Sequence, residues 1–102
     1  MTTLHTVNKS PFERNNLDSC LGHAQAGDAV LLIEDAVFAA MDGTALAGKM
    51  ADAAKSFRLH VLGPDLAARG CDPAKLVAGI TVVDYEGFVD LAAQNKAVNA
   101  WL

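Results

Sequence analysis

Apolar and polar positions along the chain fall into two alternating patterns. Short β-favouring runs occur at Leu4-His5-Thr6-Val7, Ala29-Val30-Leu31-Leu32-Ile33, Phe57 to Leu62 and Ile80-Thr81-Val82-Val83. The second is continuously apolar between Asp28 and Glu34, as expected for a strand covered on both faces by helices. Between these runs the apolar residues take helical spacing. Leu17, Cys20, Leu21 and Ala24 recur at i, i+3, i+4 and i+7; Leu46, Met50, Ala53 and Ala54 share a face, as do Phe88, Leu91 and Ala92.

The boundaries carry their own signals. Ser10-Pro11-Phe12-Glu13 predicts the start of the first helix, with Ser10 as N-cap, Pro11 at the first helical position and Glu13 closing a capping box. That helix stops between Gly22 and Gly27. Asp35 to Met41 is mixed in pattern and leads to a turn at Asp42-Gly43. Gly63-Pro64-Asp65 opens a short helix that Gly70 ends, and Asp72-Pro73 starts a turn or short helix. Asp84 caps the last helix, and the chain closes in a tail ending Trp101-Leu102. Strands alternating with helices predict an α/β fold: a single three-layer domain with a mainly parallel sheet and helices on both faces.

Composition narrows the function. With 102 residues the chain has room for one domain. Its 52% hydrophobic content and 20% charged content exclude intrinsic disorder. The net charge of −4 leaves no basic footprint, so direct nucleic-acid binding is not expected. No apolar run approaches the roughly 18 residues of a membrane helix. The N-terminus lacks a signal-peptide pattern, so residence in the cytoplasm is expected. In that reducing compartment Cys20 and Cys71 are expected to be thiols.

Candidate chemistry is sparse. Ligands of parallel α/β sheets bind beyond the carboxyl ends of the strands. Those ends carry Asn8-Lys9-Ser10, Glu34-Asp35, Gly63-Pro64-Asp65 and Asp84-Tyr85. Asp65 and Asp84 read as helix caps, whereas Glu34-Asp35 remains a site or interface candidate. No glycine-rich phosphate loop is present. His5 and His60 lie in strands and read as hydrogen-bonded sheet residues. Cys20-x-x-His23 is half of a zinc pattern without a second half, so no metal is expected. Cys20 has two readings: a small buried hydrophobe on the helix face, or a thiolate that carries sulfur with His23 one turn on. Its place late in the helix disfavours the thiolate. Cys71, after Arg69-Gly70, reads as a more accessible loop cysteine.

Leu4-His5-Thr6, Ser10-Pro11-Phe12, Gly27-Asp28, Leu31-Leu32-Ile33-Glu34-Asp35, Asp65 to Gly70, Asp84-Tyr85, Phe88-Val89 and Ala100-Trp101-Leu102 follow one another in an order that resembles the DsrH/TusB family, essentially from end to end. The resemblance implies one domain over residues 1–102, a subunit of a heterohexameric sulfurtransferase. The implied partners are DsrE-like and DsrF-like subunits, and a DsrC/TusE-like carrier that receives persulfide sulfur. Neither cofactor nor metal is implied. One branch of the family serves sulfur oxidation as part of DsrEFH and typically keeps a cysteine in the first helix; the other serves tRNA thiolation and tends to lack it. Cys20 matches that position, so the resemblance makes Cys20 the candidate catalytic residue and points to the sulfur-oxidation branch. A non-catalytic structural subunit and a tRNA 2-thiouridine relay are the alternatives.

Overall fold

The computed structural model describes residues 2–12 and 14–102. Five strands form one fully parallel sheet: β1 (Thr3–Val7), β2 (Ala29–Leu32), β3 (Arg58–Leu62), β4 (Ile80–Val83) and β5 (Ala97–Trp101). Their spatial order is β4-β3-β2-β1-β5. The chain therefore steps from β1 outward to β4, then crosses back to the far edge beside β1.

That reversal decides which face each helix covers, because parallel crossovers share one hand. Helices α1 (Asn16–His23), α2 (Ala47–Ala53) and α3 (Gly63–Ala68), with a 3₁₀ segment at Glu34–Ala40, belong to the outward steps. They pack on one face, where Leu17, Cys20, Met50 and Leu66 meet Val7, Val30, Leu32, Leu59 and Val61. The returning crossover, α4 (Tyr85–Gln94), lies on the other face and seats Leu91, Phe88 and Ala92 on Leu4, Ala29 and Leu31. Alternate residues of β1 and β2 thus serve opposite layers, as the period-2 geometry of a strand requires. The three-layer arrangement with helices on both faces is the one the pattern predicts.

Three local expectations are corrected. The first helix does not begin at Ser10. The Ser10 hydroxyl accepts the Phe12 N–H at 3.3 Å and the Ser10 carbonyl accepts the Arg14 N–H, which makes an isolated turn. The helix starts at Asn16 instead; Glu13, the capping-box residue, lies outside the described residues. Asp65 caps no helix: it sits inside α3, and its carboxylate accepts the Glu34 N–H at 2.6 Å. That bond holds Glu34 at φ +50, a left-handed conformation that costs a non-glycine residue of order 1 kcal/mol. Finally, the tail is a strand. Ala97-Val98-Asn99-Ala100 carries little β propensity, and pairing with β1, from Thr3 opposite Ala97 to Val7 opposite Trp101, supplies the order.

Asp84 does cap α4, accepting the Gly87 N–H at 2.8 Å, and Asp72 accepts the Ala74 N–H at the 3₁₀ turn Pro73–Lys75. His60 departs from expectation. Both its ring nitrogens are buried without a hydrogen-bond partner. Burial, and then the nearby Arg58 guanidinium, hold its pKa below the ordinary 6.5. The folded chain therefore keeps His60 neutral at a pH where the unfolded chain takes up a proton. Stability is present above about pH 6.5 and is lost as pH falls below it. The melting temperature should drop between about pH 7.5 and about pH 5.5, and the drop should be smaller in His60→Leu. Asp28, whose carboxyl lies below its ordinary 3.8, titrates outside that window. Equal slopes in the two proteins would contradict the assignment.

Candidate functional site

The residues with chemical potential gather at two ends of the sheet. At the amino ends of β1 and β2, beneath the end of α1, a polar hollow of about 190 Å³ is lined by Thr3, His5, His23, Gln25, Asp28 and Asn99. Asp28 is buried, with 6% of its surface exposed. Its carboxylate accepts the backbone N–H of Thr3 and of Gln25, each at 3.0 Å, and lies 3.0 Å from His5 Nε2. Burial alone would raise its pKa. The Gln25 N–H, the His5 ring and the Thr3 N–H together outweigh burial and hold the carboxyl below its usual range.

His5 is 2% exposed, and its other ring nitrogen is also engaged: Trp101 Nε1–H donates to His5 Nδ1 at 3.1 Å. An accepting Nδ1 places the proton of the neutral ring on Nε2, which donates to Asp28. His23 meets the other side of Trp101 edge-on, with ring centroids 5.7 Å apart.

Cys20 lies in the core on this side of the sheet, with no exposed surface, in the cluster that Trp101 packs against. Its thiol is pushed up to about 12, first by burial and then by the Asp28 charge. At neutral pH it is a thiol, not a thiolate. The fold thus brings cysteine, histidine and aspartate to one side of one helix without making a base for the cysteine: both His5 nitrogens are committed, and His23 faces Trp101. Cys71 is half-buried in the loop after Gly70, the more accessible position its sequence context predicts. Arg69, its one cationic neighbour in sequence, pairs instead with Asp35 at 2.9 Å. That pairing also accounts for half of the Glu34-Asp35 candidate. Among the described residues no three His, Cys, Asp or Glu side chains converge as a metal site would require.

At the opposite end, α3 leaves β3 toward one face and α4 leaves β4 toward the other. This divergence opens a crevice of about 430 Å³, lined by Gly63, Pro64, Val82, Val83, Asp84 and Gly87, where α/β folds place ligands. A Cβ at Gly87 would come within 2.9 Å of Val83 Cβ, so the close approach of α4 to β4 requires glycine. The one carboxylate lining it, Asp84, is used in capping.

Asp28 and Trp101 were not among the sequence candidates. The available signal was His5, a polar residue in an apolar strand that must find a partner when buried.

The model of the family described as DsrH like protein matches residues 9–98. The chain belongs to the DsrH-like family. It is 43% identical to Protein TusB of Erwinia tasmaniensis over 98 residues, covering 96% of this chain and 99% of that one. Protein TusB of Escherichia coli K12 is 32% identical over the same shares. Among solved structures the ychN protein of E. coli superposes with a TM-score of 0.79 over 98% of this chain and 99% of that chain, at 15% identity. MTH1491 of Methanobacterium thermoautotrophicum gives 0.71 over 97% and 96%, also at 15%. These structures share the fold of this DsrH-like chain. No helix among its described residues is long and apolar enough to cross a membrane.

The burial difference predicts how the two thiols respond to a bulky disulfide reagent. In the native protein Cys71 should react promptly, whereas Cys20 should react only on unfolding. Peptide mapping of the labelled protein checks this; prompt labelling of Cys20 would show that α1 opens readily.

Proposed function

We propose that this chain is a subunit of a cytoplasmic sulfur-relay complex, and that it serves the complex as an assembly partner more than as a sulfur carrier. The observation that carries the first half is the family match over residues 9–98, together with TusB relatives aligned over 96% of the chain. The second half rests on Cys20, which is buried, protonated and without a free base.

Persulfide relay is thiol chemistry. A thiolate attacks the outer sulfur of a donor persulfide; the donor S–S bond breaks, a new S–S bond forms, and the donor leaves as its own thiolate. The acceptor then yields the same sulfur to the next thiolate. The rate depends on thiolate fraction and access. Cys20 in the resting fold offers neither, and no cofactor enters this chemistry. Partners of the expected kind are DsrE-like and DsrF-like subunits, which would supply the reactive thiol, and a DsrC/TusE-like carrier that accepts the sulfur.

The TusB relatives favour the tRNA-thiolation branch. A second reading, sulfur carriage on Cys20 in a DsrEFH-like oxidation complex, rests on its position in the first helix and requires α1 to lift.

One experiment separates the readings. The chain is co-expressed with both sister subunits, and the complex is exposed to a persulfide donor and examined by intact-protein mass spectrometry. Assembly into a stable hetero-oligomer, with sulfur-atom mass steps on a sister subunit and none on this chain, is the expected result. Mass steps on this chain that Cys20→Ser abolishes, with an unchanged melting curve, would establish the second reading. A chain that stays monomeric in the presence of both sisters would overturn the relay function itself.

A further inference from the structure

Helix α4 is apolar on more of its circumference than its packing uses. Phe88, Leu91 and Ala92 pack on the sheet, and Asn95 at its end is buried. A row at i, i+4 and i+8 continues outward from them: Tyr85, Val89 and Ala93, of which Tyr85 is 61% and Val89 67% exposed. At 100° per residue the apolar arc spans roughly 200°, about twice what a helix resting on one sheet needs. The sheet edge adds one exposed apolar residue on the same layer. Val98 of β5 is in register with Leu4, on the face that α4 covers, and is 52% exposed. Strand β5 carries no Lys, Arg or Pro to blunt this edge.

Beside the apolar row runs an acidic one. Glu86 and Asp90, both exposed, stand at i and i+4, and α4 contains no Lys or Arg. Like charges at that spacing cost a helix a few tenths of a kcal/mol. A helix with two apolar sides and an uncompensated acidic stripe is locally inconsistent as a solvent-facing surface. It is consistent as one half of an interface.

We infer that the Tyr85-Val89-Ala93 row docks a sister subunit of the relay complex through a segment that carries an apolar anchor flanked by Lys or Arg. The charge decides against a second copy of this chain. Two copies meeting through α4 would bring the Glu86 and Asp90 stripes together, and each chain carries −4. A basic flank on a different chain turns the same stripe into an attraction that fixes partner choice. The inference rests on the relay reading and adds to it the surface and the chemistry of its partner.

The test is co-purification and native mass spectrometry of the chain with both sister subunits. Val89→Glu and the pair Glu86→Lys with Asp90→Lys are compared with the unaltered chain and with Lys55→Glu, an exposed control. Each α4 variant should weaken assembly about ten-fold while keeping the melting temperature. The control should assemble normally, and added salt should loosen the unaltered complex. Normal assembly of the α4 variants overturns the inference and leaves the relay reading standing. Failure of the unaltered chain to assemble overturns both. Self-association that Val89→Glu abolishes, or loss of carrier binding alone, assigns the surface to another occupant and also overturns it. Should Val89→Glu misfold, the charge-reversed pair, altered only at exposed positions, decides the outcome.

Discussion

The carboxylate of Asp28 is the joint on which the structure depends. It stands at the entrance to β2 and accepts three donors: the N–H that opens β1, the N–H of the loop leaving α1, and the ring of His5. His5 in turn receives the indole of Trp101, from the last residue of β5. One buried charge thereby connects the first strand, the first helix, the second strand and the last. Burying a carboxylate is costly, and three hydrogen bonds are what offset it. Without it, the buried His5 ring would lose its acceptor, at about 1–3 kcal/mol.

The same joint leaves Cys20 without a free base in the resting fold. Cys20, His5 and Asp28 lie on one side of the sheet, residue types that elsewhere combine to make a nucleophile. Here the histidine is held between an acceptor and a donor, so it has no nitrogen left for Cys20. The Asp28 charge opposes a second anion nearby, and core packing keeps the thiol from water. Besides Phe12, Val82 and Leu102, the apolar residues that remain exposed lie on the opposite layer, in the outer row of α4 and at Val98 of the edge strand β5. The enclosed thiol and the outward-facing apolar row of α4 are the two observations on which the proposed assembly role rests.

Much of this was legible in the residues. Four of the five strands, the turn at Asp72-Pro73, the cap at Asp84, and the alternation that gives three layers follow from local pattern. Strand β5 does not, because Ala97 to Ala100 has weak propensity and is ordered by a partner more than ninety residues away in sequence. Asp65 and Asp28 were hidden for the same reason: their partners, Glu34 on one hand and Thr3 and His5 on the other, are set by sheet topology. The Ser10 motif failed because a hydroxyl satisfied two residues on closes a turn as readily as it caps a helix. For Cys20, periodicity alone placed the thiol on the buried face, where it lies, while its family position suggested sulfur chemistry, which needs an exposed thiolate.

The central claim is that His5 is locked as a neutral ring with its proton on Nε2, between Asp28 and Trp101. Long-range proton–nitrogen correlation spectra of uniformly nitrogen-15-labelled protein at neutral pH test it directly. The account predicts a protonated Nε2 and an unprotonated Nδ1 for His5, with a downfield Trp101 indole proton that returns upfield in Asp28→Asn as the ring is released. A proton on Nδ1 of His5, alone or together with one on Nε2, would contradict it.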